Sequence, residues 1–168
     1  MWLFETGRGL RLALGLLICA VLAACNLTPV HAPNGAASKL ENRISIAEPT
    51  TEDLYLLTRH VETKLGRSDP APMKLVMTVF HGGTGVGTTA TGFPTRIQRT
   101  GTLTYTLSNS DNGETIKTGT INRFTGYSTT GNLATSLAAE RDSIKRLMVI
   151  LADAMIDQLY LIDAAKLP

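Results

Sequence analysis

The stretch from Arg96 to Tyr127, RIQRTGTLTYTLSNSDNGETIKTGTINRFTGY, decides the fold. Ile97, Leu103, Tyr105 and Leu107 fall on odd positions, with Thr102, Thr104 and Thr106 between them. Successive side chains of a strand point to opposite faces, so this alternation describes a strand with one apolar and one wet face. Asn109-Ser110-Asp111-Asn112-Gly113 is a run of turn formers. Ile116, Ile121, Phe124 and Tyr127 populate a returning strand, and the alternation slips near Gly119, which predicts a bulge there. Together these make a long β-hairpin. Between Thr84 and Thr130 there are 15 threonines in 47 residues. Their β-branched side chains suit a pleated, half-exposed surface better than a helix.

Upstream of the hairpin, Met73 to Phe80 predicts another strand, through Val76, Met77, Val79 and Phe80. The glycine-rich run His81–Thr89 reads as a flexible loop after it. Arg43–Ala47 alternates as a short half-buried strand ended by Pro49. Thr50-Thr51-Glu52-Asp53 fits a capping box with Thr50 as N-cap. Leu54, Leu57, Val61 and Leu65 then form one helical stripe, which Gly66 ends.

Downstream, Leu133, Leu137, Ile144, Met148, Leu151, Met155, Leu159 and Ile162 recur at helical spacing, and predict a long amphipathic helix over Leu133–Leu161. The element order is β-α-β-β-β-α. A sheet with one apolar face and two helices with one apolar stripe each are buried together when both helices lie on that face. The expected fold is an α+β two-layer sandwich of about four strands, with the threonines and several basic groups on the open face.

The N-terminal end carries an address. Arg8 and Arg11 precede the apolar stretch Leu12–Leu22, and Ala23 and Ala24 lead to Cys25. This is the layout of a secretory signal, and the apolar run is short for a spanning helix. Leu22-Ala23-Ala24-Cys25 has the form of a bacterial lipobox, in which the cysteine thiol receives a lipid and the peptide is cut before it. Several acyl chains hold a membrane stably where one is marginal. Asn26 stands where the inner-membrane retention signal has Asp, which favours the outer membrane. The expected organisation is a signal peptide over 1–24, a lipidated tether over 25–41 broken by Pro29, Pro33 and Gly35, and one domain over 42–168. The cysteines are Cys19 and Cys25, so no disulfide or thiolate metal site is available to the body.

Little in the chain suggests chemistry. Gly82-x4-Gly87-Thr88-Thr89 has the frame of a P-loop but Thr88 stands at the lysine position. His31, His60 and His81 do not pair at ligand spacing, so neither metal nor other cofactor is expected. His60 reads as lying on the exposed side of the first helix, and Asp153 and Asp157 as a solvated face. No G-x-S-x-G elbow is present. A net charge of +2 excludes nucleic-acid binding by bulk charge. The basic residues of the hairpin, Arg96, Arg99, Lys117 and Arg123, are the candidates for binding phosphate or carboxylate. The alternative for them is ordinary edge-strand charge that blocks aggregation.

Cys25-Asn26-Leu27-Thr28-Pro29-Val30-His31-Ala32 resembles the mature start of the LPS-assembly lipoprotein LptE family, above all its alphaproteobacterial branch, where it looks like C-G-F-x-P-V-Y. The later order is similar too: short strand, helix, Arg96 and Arg99 before the hairpin, Tyr127 closing it, then a long helix with Arg141-Asp142 and Arg146. Asn26 and His31 depart from the family's usual glycine and tyrosine. The resemblance implies a non-enzymatic outer-membrane lipoprotein. Such a protein plugs and helps assemble the β-barrel LptD and assists delivery of lipopolysaccharide (LPS) to the outer leaflet. It also implies that the basic candidates meet lipid A phosphates. The alternatives are an auxiliary lipoprotein of a lipid-transport ABC system and a lipid-anchored periplasmic hydrolase.

Overall fold

The computed structural model describes residue 33 and residues 35–129 and 132–168. The signal segment 1–24, Cys25 and most of the stretch read as a tether lie outside the described residues. The elements are α1 (Ala36–Leu40), β1 (Ile44–Ile46), α2 (Glu52–Leu65), β2 (Met73–Thr88), β3 (Pro94–Asn109), β4 (Thr115–Ser128) and α3 (Leu133–Tyr160), with a 3-10 turn at Ala164–Lys166. The four strands form one sheet in sequence order, with β1 parallel to β2 and the rest antiparallel.

The expected α+β order is present, with α1 added at its start. The breaker residues assign Ala36–Leu40 to a tether, yet they fold as a helical turn whose Ala37 and Leu40 are fully buried. Lys39 Nζ ties this turn to the far end of the chain by donating to the Ala164 carbonyl at 2.7 Å.

α2 begins one residue later than its capping pattern predicts. Thr51, not Thr50, is the N-cap, and its Oγ1 accepts from the Leu54 N–H at 3.2 Å. Gly66 ends the helix at φ 76°, a conformation that costs a residue with a Cβ. Asn132 caps α3 by accepting from the Ala134 N–H at 2.9 Å. α3 spans Leu133–Tyr160, one residue short of the predicted end.

The core lies between the odd face of the hairpin and the two long helices. Leu103, Tyr105 and Leu107 of β3 are buried against Leu147, Leu151 and Met155 of α3 and Leu57, Val61 and Leu65 of α2. Tyr105 also donates its hydroxyl hydrogen to Gln158 Oε1 at 2.8 Å. Burial within apolar packing pushes the Tyr105 phenol up from its ordinary range.

Three further details differ from what the sequence predicts. The glycine-rich run after Phe80 is not a loop: β2 continues to Thr88, paired residue by residue with β3. The bulge sits at Ile116 rather than Gly119, because Leu107 pairs with Lys117 while Ser108 pairs with Thr115. Gly119 keeps the register and leaves room for the ring of Tyr105, whose Cε1 would come within 2.7 Å of an added Cβ. Finally, the apolar stripe of α3 runs past the core. Leu133 is 75% and Leu137 45% exposed, beside an exposed Phe93 at the hairpin tip.

Candidate functional site

The even positions of β2, β3 and β4 form a face that no described element covers. Thr102 Oγ1 donates to Asn122 Oδ1 at 2.6 Å across it, and further threonines line the rows on either side. Two phenyl rings, Phe80 and Phe124, stand out from this polar floor at 72% and 68% exposure.

The four basic candidates do not share one patch. Leu107 pairs with Lys117 and Ser128 with Arg96, so Lys117 and Arg96 lie eleven β3 positions apart, about 36 Å along the sheet. Arg99 shares the odd parity of Leu103 and therefore points inward. Its side chain is 9% exposed, and Nη2 donates to Glu140 Oε1 at 2.5 Å. Nη1 donates to His81 Nδ1 at 3.2 Å, while His81 Nε2 donates to Asp53 Oδ2 at 2.8 Å. An arginine only donates and a carboxylate only accepts, so the ring that satisfies both carries its proton on Nε2. This chain of four side chains straps α2 and α3 to β2 and β3 where the hairpin leaves the core. A second strap joins the helices: His60, read as solvent-facing, meets Asp153 Oδ1 at 2.7 Å. Asp153 is thus half of a pair rather than part of a plain solvated face.

Arg96 and Arg123 remain on the surface, along the upper part of β4. Arg96 is exposed and lies over Gly126, where an added Cβ would meet its Nε at 3.3 Å. No described residue bonds its guanidinium. Arg123 Nη1 donates to the Asn122 carbonyl at 2.9 Å. Arg146 lies outside the hairpin's basic candidates, yet α3 brings it to the same edge. It pairs with Asp142 one turn earlier, and its Nη2 reaches the Gly126 carbonyl at 3.5 Å. Arg96, Arg146, Phe124, Val86 and Gln98 line one cleft of about 460 Å³. Two guanidinium groups thus flank an exposed phenyl ring, with Arg123 on the β4 edge outside the cleft, a surface matched to an anion that carries an apolar portion.

No group of three or more metal-binding side chains occurs among the described residues. None of the described helices is long and apolar enough to cross a membrane. The profile of the family described as Lipopolysaccharide-assembly, LptE, matches residues 41–159. The chain belongs to the LptE family. No curated protein matches it. Among solved structures, a protein described as a lipoprotein from Caulobacter crescentus CB15 aligns with a TM-score of 0.63 at 20% identity, covering 74% of this chain and 92% of that one. Rare lipoprotein B from Shewanella oneidensis gives a TM-score of 0.52 at 14% identity, with 70% and 91% covered. A minor lipoprotein from Acinetobacter baumannii gives 0.54 at 14%, with 77% and 95% covered. These likenesses carry the fold, and the LptE-like α+β sandwich is the shared feature.

Proposed function

We propose that this LptE-family chain is an outer-membrane lipoprotein that seats in an LptD-like β-barrel, helps assemble it, and assists passage of LPS to the outer leaflet. It acts as a binding and structural partner, not an enzyme. The observation that carries this reading is the family match over residues 41–159, which spans the sheet and both long helices. The uncovered face supports it. Threonine hydroxyls suit a wet barrel lumen, where an apolar face would be costly to expose.

In this reading Cys25 is the lipid attachment point, and residues 26–34 are the tether to α1. LPS phosphates meet a strip made of Arg96 and Arg146 in the cleft and Arg123 on the β4 edge beside it, with Phe124 against the apolar part of the ligand. Lys117 lies at the far end of β4, and Arg99 is held inside, so neither joins the strip.

Pull-down from detergent-solubilised outer membranes tests the partner. A large barrel protein is expected with the chain, and recovery with an ABC transporter instead would refute the plug. Cys25→Ala is expected to abolish lipid labelling. Arg96→Asp with Arg123→Asp is expected to weaken LPS binding at least tenfold with the fold intact, and unchanged affinity would remove the strip from the reading.

A further inference from the structure

The two edges of the sheet are treated differently. Along β4, Arg123 Nη1 covers the Asn122 carbonyl and Arg146 Nη2 reaches the Gly126 carbonyl. Both lie on the outer edge, since even residues of β4 direct their backbone groups away from β3. Charged side chains over edge carbonyls are a usual defence against unwanted strand pairing.

Among the described residues, the opposite edge has no such defence. β1 pairs with β2 only at Met73–Leu75. The Ala47 N–H donates to the Leu75 carbonyl at 2.9 Å, so the odd residues of β2 face away from β3. Val79, His81, Gly83 and Gly85 therefore present their N–H and C=O groups outward, and no described residue bonds them. From Val76 to Thr88 the strand contains no Asp, Glu, Lys, Arg or Pro. Everything from Gly82 to Thr88 is exposed. Gly87, at φ 73°, ends the straight run.

We propose that β2 accepts an added β-strand along Val79–Val86, supplied by an uncharged extended segment of another polypeptide. The chemistry of the occupant follows from the edge. Main-chain hydrogen bonds give the affinity, as in other cases of strand addition. The side chains at Gly82, Thr84 and Val86 carry no charge of their own to pair with one on the added strand. A second copy of this chain is a poorer occupant. A stable dimer buries about 800 Å² per partner over 20–30 residues, and an eight-residue ladder falls well short. The inference is independent of the lipid chemistry assigned to the β4 edge.

The test uses an acetylated and amidated Thr-Val-Thr-Val-Thr-Val-Thr peptide and amide hydrogen exchange followed by NMR on the chain. The peptide is expected to slow exchange at Val79, His81, Gly83 and Gly85 at least tenfold, and to leave Asn122, Phe124 and Gly126 unchanged. Gly82→Lys with Thr84→Lys is expected to abolish the slowing. An added Cβ at Gly82 meets nothing within 4 Å, so the fold accepts the change. Thr84→Lys alone serves if the double variant loses core protection. No slowing on β2, equal slowing on β4, or slowing that grows with protein concentration and needs no peptide would each overturn the proposal. The last result would assign the edge to a second copy.

Discussion

Removing Glu140 tests whether Arg99 is a structural or a ligand-facing residue. The Arg99 side chain is 9% exposed, its Nε has no hydrogen-bond partner, and Glu140 is its carboxylate. Glu140→Ala leaves a nearly buried guanidinium held only by the His81 ring. Breaking a fully buried pair costs about 3–5 kcal/mol. Glu140 is 37% exposed, so water reaches the site and the expected cost falls to about 2 kcal/mol. For a chain of this size that lowers Tm by about 6 °C. Arg99→Met keeps much of the stem and removes the charge. Glu140 then rehydrates, and the expected cost is about 1 kcal/mol. The double variant has no stranded charge, so it is expected to cost about 1 kcal/mol as well, leaving a coupling of about 2 kcal/mol. Urea unfolding of the chain starting at residue 26, followed by circular dichroism, measures all three. Additive costs would refute the pairing argument. LPS affinity is the second readout: Arg99→Met is expected to leave it unchanged, and a loss equal to that of Arg96→Asp would place Arg99 at the ligand.

Two more substitutions probe the core. Gly101→Ala would set a Cβ 2.9 Å from Leu151 Cδ1 and 3.0 Å from Leu147 Cδ2. It is expected to cost about 1–3 kcal/mol in urea unfolding, with Leu151→Val restoring part of the loss. Tyr105→Phe removes the bond to Gln158 and is expected to cost about 1 kcal/mol. Tyr105 also sets an alkaline limit. Its folded pKa is raised, so above about pH 10 the unfolded chain loses a proton that the folded chain keeps, and stability falls. Denaturation at alkaline pH is expected to show a shallower fall in Tyr105→Phe than in the parent chain.

Much of the sandwich is legible because two periods dominate it. The stripe from Ile144 to Leu159 needs no partner to be recognised, and the turn at Asn109–Gly113 locates the hairpin. The extension of β2 is not legible, because glycine says nothing about period. Gly83 and Gly85 look like a loop until β3 is placed beside them, where Ile97 and Pro94 occupy the space a Cβ would take. The inward turn of Arg99 was available in the sequence. It shares odd parity with Leu103, Tyr105 and Leu107, and reading it as surface charge overrode that parity. The β4 strip was hidden for another reason. Arg146 joins Arg96 only through the packing of α3 on the sheet, a tertiary relation that no spacing encodes. The pairing of His60 with Asp153 is of the same kind.

The upper hairpin, where β2 and β3 run past the apolar core, obeys an arithmetic of its own. Nothing above Arg99 depends on tight interior packing. Chain can be added there or removed without reopening the core, provided β2, β3 and the stretch of β4 paired with them change together and by even numbers. Each two-residue step moves the tip by about 6.6 Å and keeps every side chain on its own face. A single-residue step would turn Arg96 to the helix side and Ile97 to water. The reach of this arm is therefore adjustable in increments, a parameter that sequence drift can tune to the depth of whatever encloses it.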